Sequence, residues 1–447
     1  MLFIKPIVGF SIVQKSTKNS LLLIVSLFLS WQSLASNMEI SEEDDWGDDT
    51  WVEEVASPWK FSGFTEAGYG YLLQDNIVGS HASLSEITTR LNLDYSHESF
   101  DLITKGELIY DDILSDLFWK TRELNIRFSP TKNTDVKIGR QILTWGTGDY
   151  IFLNDLFAKN WQSFFSGRDD QYLKAPSDSA KGTWYIGDFS IDLTWTPEFT
   201  SDIYLTGERF SFYSQQAQGI VAPADNFSAQ KTNEAQWAAR IATNKNGVEY
   251  AFYGYKGFWP TPVGMTETEN QPLTPYFPKM NAWGTSVRLP LAGGVFNAEY
   301  SSYNSIEDTN GNDPFIANGQ NRFLVGFERE VMKNLTASTQ FYIEQTKNYD
   351  QFIAHSATPE TEVKENRQLL TLRLTYTALQ QKLIYRLFNF YSPTDNDGYL
   401  KPSITYRYND QWLFSGGANF FWGDKKHTFF GQHQQNSNAW LRVKTQF

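Results

Sequence analysis

Catalysis by a side-chain nucleophile needs a base oriented beside it, and this chain offers little to build such a pair from. There is no cysteine among 447 residues, which removes thiolate nucleophiles, thiolate metal sites and disulfides together. No G-x-S-x-G elbow, H-E-x-x-H pair or P-loop occurs. The five histidines (His81, His97, His355, His427 and His433) are scattered, so a metal cluster is not expected, and no cofactor is. His355, His427 and His433 share predicted loops with Asp424 and Ser437, a loose proximity that gives a hydrolytic site only weak support, and no enzyme is expected. The chemistry on offer is charge. Acidic residues number 51 and basic ones 38, a net charge of -13 that gives no electrostatic reason to expect a nucleic-acid partner.

Those charges recur at every second position. From Glu86 to Ser96, Ile87, Thr89, Leu91, Leu93 and Tyr95 share one face, while Glu86, Thr88, Arg90, Asn92 and Asp94 share the other. Phe189, Ile191, Leu193 and Trp195 repeat the pattern against Ser190, Asp192 and Thr194, as do Phe323, Val325 and Phe327 against Arg322 and Glu328. Strands of about ten residues with this period are what a transmembrane β-barrel requires. Tight turns, such as Gly187-Asp188 and Asn244 to Gly247, alternate with long polar connections at Gly146 to Ser179, Pro197 to Thr232, Gly257 to Lys279, Ser305 to Gly319 and Thr346 to Lys364. Short turns on one side and long loops on the other match the periplasmic and extracellular ends of an outer-membrane barrel. The expected fold is all-β: an antiparallel transmembrane barrel of about 18 strands, with 16 as the alternative. A further candidate strand, Asp202 to Phe212, would make the number odd and is assigned to a loop.

The N-terminus carries the one continuous apolar run. Lys5, Lys15 and Lys18 precede Leu21 to Leu29, and Ser33-Leu34-Ala35 follows, which reads as a signal peptide over residues 1 to 35. Residues 36 to 59 form an acidic segment with nine carboxylates between Glu39 and Glu54 and no basic residue, expected to be disordered. Trp46 and Trp51 within it are candidate anchors for a periplasmic partner. The barrel is expected over 60 to 447, in the outer membrane of a Gram-negative cell and in contact with its lipid.

The last strand places Ala439, Leu441, Val443, Thr445 and Phe447 on one face. A terminal Phe closing such a strand resembles the signal read by the barrel-assembly machinery, which makes Phe447 the candidate assembly residue. Upstream, Val136-Lys137-Ile138-Gly139-Arg140-Gln141, followed by Trp145-Gly146, resembles the G-R-Q…W-G strand of the porin and alginate-export-like outer-membrane superfamily. That resemblance implies a channel. Arg140 shares a face with Val136 and Ile138, and a lipid-facing charge costs about 2 to 4 kcal/mol at the bilayer midplane. A bulge at Gly139 that turns Arg140 into the pore is the preferred reading; a position above the lipid is the other.

With the apolar faces on lipid, the lumen is expected to be polar and of mixed charge, carrying Arg90, Glu107, Glu123, Arg127, Arg240 and Arg373 among others, many of them paired across strands. The connection from Gly146 to Ser179, with Arg168, Asp169 and Asp170, is long and aromatic enough to fold back into the pore. Together with Arg140, Gln141 and Trp145 it is the expected constriction. The function expected is a porin-like channel for small or amphiphilic solutes. The alternative is the outer-membrane component of an export or lipid transport system, docked through the acidic segment.

Overall fold

The computed structural model describes residues 57–222, 229–268 and 271–447. The expected signal peptide and residues 36 to 56 of the acidic segment, with Trp46 and Trp51, lie outside the described residues, and the last residue assigned to that segment, Trp59, opens β1. Twenty-two strands follow in chain order: β1 Trp59–Leu72, β2 Ala82–His97, β3 Phe100–Asp111, β4 Asp116–Thr131, β5 Thr134–Ile142, β6 Pro176–Ile186, β7 Phe189–Thr196, β8 Phe212–Ser214, β9 Gly219–Val221, β10 Gln236–Lys245 and β11 Val248–Phe258. Then come β12 Gly264–Thr268, β13 Gln271–Tyr276, β14 Lys279–Leu291, β15 Gly294–Ser305, β16 Gln320–Met332, β17 Leu335–Thr346, β18 Asn366–Ala378, β19 Leu383–Ser392, β20 Asp397–Arg407, β21 Trp412–Gly423 and β22 Asn438–Gln446.

Eighteen of these form one antiparallel sheet; β8–β9 and β12–β13 are separate hairpins in the long loops. The sheet closes on itself where β1 meets β22, with Tyr69 opposite Leu441. Phe447 completes the seam: its carbonyl accepts from Gly63 N at 2.9 Å and its own N–H donates back at 3.1 Å. The candidate strand at 202–212 is loop, apart from the first residue of β8.

Alternation builds the wall inside out relative to a soluble protein. On β3, Glu107 is wholly buried while Leu108 beside it is 46% exposed. Around the ring Phe252, Ile186 and Leu441 stand 63%, 60% and 71% exposed, an apolar belt that only lipid can cover. Short-side turns are tight enough to fix register: Asn246 and Gly247 both take positive φ, which lets Lys245 pair directly with Val248.

The two strand boundaries that delimit the long loop differ from the sequence reading. β5 ends at Ile142, not at Trp145, and β6 begins at Pro176, so the loop between them runs from 143 to 175. Alternation at Leu143 and Trp145 arises because the chain continues extended while packing against the inner wall.

Candidate pore constriction

The 143–175 loop enters the barrel and is held on every side. Gly146, at φ +83°, turns the chain inward. Glu299 of β15 then gathers the first bend: it accepts from Thr147 N, from Thr147 Oγ1 at 2.8 Å, from Gly148 N at 3.0 Å and from Asn154 Nδ2 at 2.8 Å. Asp149 reaches Arg373 of β18 at 3.1 Å and accepts from Ser338 of β17 at 3.2 Å. Trp145 packs edge-on against Phe157, 4.8 Å between centroids, and lies 6.1 Å from Tyr253 of β11.

The middle of the loop forms a short helix, α1, over Trp161–Ser166. Asn160 caps it by accepting from Ser163 N at 2.9 Å, and Gly167 ends it at φ +89°. A side chain at Gly167 would meet the Trp440 ring at 2.3 Å, so this turn admits glycine only. Phe164 and Phe165 project onto inward rings of the wall: Phe165 lies 5.8 Å from Tyr399 and 5.2 Å from Phe421. Asn419 and Asn438 both donate to Phe165 O at 3.0 Å, fixing the helix end to β21 and β22.

Beyond Gly167 three consecutive charged residues fan out to different strands. Arg168 donates through Nε to both Glu86 oxygens on β2 at 2.9 Å and lies 3.7 Å from Asp111 on β3. Asp169 meets Arg442 at 3.4 Å and Lys444 at 3.7 Å on β22. Asp170 accepts from Lys401 of β20 at 2.6 Å and from the Tyr150 hydroxyl at 2.7 Å. Burial opposes the charge on Arg168, yet Glu86 and Asp111 hold its guanidinium above the ordinary value. Burial likewise opposes the charges on Asp169 and Asp170, but Lys444 and Arg442 beside the first, and Lys401 beside the second, keep both carboxyls below the usual range. The return leg is held by Arg90, which donates to Gln171 Oε1 at 2.7 Å and through Nε to Glu107 at 2.7 Å; Tyr172 also donates to Glu107, at 2.9 Å.

Since β15 stands opposite β2 in the eighteen-strand ring, a loop bound to Glu299 and to Glu86 spans the full lumen. Arg90, Glu107, Trp145, Arg168, Asp169, Asp170 and Arg373 are thus brought together on or around it. Gln141 faces inward just before the loop and donates to Ser179 O at 3.0 Å. Glu123, Arg127 and Arg240 are not part of this assembly. Glu123 pairs with Lys105 at 2.7 Å, Arg127 with Asp101 at 3.5 Å and Arg240 with Glu249 at 2.8 Å; these pairs stitch neighbouring strands.

Arg140 corrects the sequence reading. The β4–β5 ladder runs without a shift through Gly139, which pairs with Asn125, so there is no bulge there. Arg140 stays on the outer face beside Leu124 and pairs with Asp178 of β6 at 3.1 Å. The opposite carboxylate on the next strand removes the need to turn the charge inward. A second correction concerns the lumen, which is not polar all round. Tyr342, Phe388, Phe390, Tyr399 and Phe421 face inward from β17 to β21 and form one cluster with Phe164, Phe165, Leu153 and Leu173 of the loop. Lys401, Tyr150 and Tyr399 went unsingled in the sequence. The signal for this sector was present, because β19 is apolar on both faces.

The loop histidines do not form a triad. His433 is buried, with its ring 5.2 Å from Phe165 and Nδ1 3.1 Å from the Asn436 amide, and burial pushes it down to about 4. Ser437 donates instead to Gln434 O at 2.9 Å, and Asp424 accepts from Asn396 at 2.5 Å.

No family model matches the chain, and no curated protein does. Solved structures do. Acinetobacter baumannii OccAB4 superposes with a TM-score of 0.53 at 8% identity, covering 88% of this chain and 98% of that one. Pseudomonas aeruginosa OccD3 (OpdP) gives 0.52 at 12%, over 87% and 90%. Acinetobacter baumannii OccAB3 gives 0.51 at 10%, over 87% and 99%. At such identities the likeness speaks for the fold, and the fold, with its apolar belt, is that of an outer-membrane β-barrel.

Proposed function

We propose that the protein is a porin-like channel of the outer membrane, related to the porin and alginate-export-like proteins that its Gly139-Arg140-Gln141 strand resembles. The 143–175 loop sets its conductance. The observation that carries this reading is the fastening of one loop to diametrically opposed strands, with the half-exposed charges of Asp170, Asp169 and Arg373 left at its rim. Opposite charges facing one another across a wet constriction select solutes by size and by charge distribution. Small polar solutes and the head groups of amphiphiles suit such a rim. In planar bilayers, deleting residues 148 to 170 should raise single-channel conductance several-fold. An unchanged conductance in a folded, inserted barrel would show that the loop does not limit passage.

A further inference from the structure

Among the described residues, the longest unpaired edge in the wall lies on β4. The ladder between β4 and β5 starts at Leu124 opposite Arg140, so Asp116 to Glu123 have β3 along one edge and no strand along the other. That is roughly 25 Å of strand edge. The cause is strand length: β2 and β4 have 16 residues each, whereas β5 has nine and β7 eight. Among the described residues, no loop donates a backbone hydrogen bond to this edge or accepts one from it. Trp119 does not cover it either. Its ring lies over Gly106 on β3, where an added Cβ would come within 1.9 Å, and its Nε1 donates to Thr121 at 3.2 Å.

An unpaired strand edge cannot face hydrocarbon, because each bare N–H and C=O would cost several kcal/mol there. Yet the outer face of the same stretch is apolar, with Leu117 and Trp119 each 56% exposed. The edge must therefore meet polar matter within the lipid-facing band. The side chains behind it say which charge. Lys120 faces inward opposite Glu107 and, among the described residues, makes no ion pair or hydrogen bond. The charges that bear on it are the guanidiniums of Arg168, Arg122 and Arg140 against the single carboxylate of Glu107, one oxygen of which is already taken by Arg90 and Tyr172. Arg122 meets backbone carbonyls instead of a carboxylate, including Lys174 O at 3.1 Å. Arg140 is paired with Asp178 through Nη1, but its Nε is buried without a partner.

We infer that the gap between the upper half of β4 and the start of the 143–175 loop is a lateral portal for a single-chain amphiphile with an anionic head. The alkyl chain lies outside along Leu117 and Trp119, and the head passes Arg140 on the outer face and crosses the unpaired edge to Lys120 and Arg122. Carboxylate and phosphate heads share the chemistry this site would recognise. The inner end of the route rests on the channel reading proposed above.

Photolabelling of the full-length protein in liposomes tests it. Three probes carry the same chain diazirine: palmitic acid, hexadecyl phosphate and hexadecanol. The acid, the phosphate or both should label residues 117–123 and 171–175 at least five-fold above the alcohol, and the stronger of the two identifies the head group. The double substitution K120Q/R140Q should lose that excess while K120R keeps it, with heat-modifiable gel migration confirming a folded barrel in each. Equal labelling by the alcohol, labelling spread around the belt to Phe252 and Leu441, or an excess that survives K120Q/R140Q would overturn the portal. Conductance of the same preparation tests the channel separately: labelling at β4 without conductance removes the channel and keeps the portal.

Discussion

One loop is held by two unlike walls. On the side of β1, β2, β3 and β22, Glu86, Glu107, Arg442 and Lys444 grip Arg168, Asp169 and Tyr172 through pairs with defined geometry, while Glu66 holds Arg442 and Lys444 in turn. On the side of β17 to β21, stacked and edge-on rings receive Phe164 and Phe165, and only two ion pairs, Arg373 with Asp149 and Lys401 with Asp170, flank them among the described residues. The aromatic wall supplies adhesion, since each large apolar side chain removed from water contributes about 1.5 to 3 kcal/mol with little demand on direction. The charged wall supplies position. A buried ion pair gains little net energy over an apolar substitute, but it costs several kcal/mol when only one partner is in place. A constriction needs both, because a loop that merely adheres can slide and a loop that is merely aligned can lift off.

Removing adhesion should have the largest effect. Phe165→Ala leaves a cavity against Tyr399 and Phe421 and should weaken the seating of α1 by about 3 to 5 kcal/mol. The expected outcome is a noisy, enlarged conductance and protease cleavage between residues 160 and 168, with barrel assembly intact. If cleavage stays as slow as in the parent protein, the aromatic wall is not what holds the loop.

Breaking position should cost somewhat less, because Asp111 keeps Arg209 when Arg168 is removed. Arg168→Met strands Glu86 in a buried site, a loss of about 3 kcal/mol. The comparison sharpens in the double substitution with Glu86→Gln, which should recover much of that loss, whereas Glu86→Gln should do nothing for Phe165→Ala. Single-channel recordings of six proteins, the parent, Arg168→Met, Glu86→Gln, Phe165→Ala and the two doubles with Glu86→Gln, form the two cycles. Coupling between Phe165 and Glu86 as strong as that between Arg168 and Glu86 would mean that the two walls act as one.

The difference between the walls also explains what the sequence could disclose. The long aromatic loop stood out as one able to fold inward, and strand number and loop asymmetry were legible from period and length. The partners were not. Alternation tells which face Lys401 occupies but not that it meets Asp170, which lies 231 residues earlier in the chain. The aromatic wall was legible in principle: in β19, Leu387 and Tyr391 lie on one face and Phe388 and Phe390 on the other, the mark of a strand covered on both sides. Reading each apolar face as lipid-facing hid it. Arg140 failed for a different reason, because Gly139 permits a bulge without requiring one and the Asp178 that satisfies the charge lies across the whole loop.

The smallest effect separates the walls by acid. Asp202, in the 197–235 loop, clasps the start of α1 by accepting from Lys159 N at 2.8 Å and from Trp161 Nε1 at 2.7 Å. Burial outweighs the nearby Lys159 ammonium, and Asp155 adds to it, so the Asp202 carboxyl is pushed up to about 6. Its folded value lies above the ordinary carboxylate value of about 4, so the folded clasp binds the extra proton. The clasp therefore strengthens as pH falls from 7 through 6, and the gain levels off below about 4. Asp169 and Asp170 run the other way: their contribution is complete above about 4 and fades only as pH falls through their lowered values. Hydrogen exchange, corrected for its intrinsic rate, should slow a few-fold across residues 158 to 166 between pH 7.5 and pH 5, while residues 168 to 173 stay unchanged. Asp202→Asn should flatten the first response and leave the second alone. If both segments respond together, the helix and the charged fan open as one unit and the division of labour between the two walls fails.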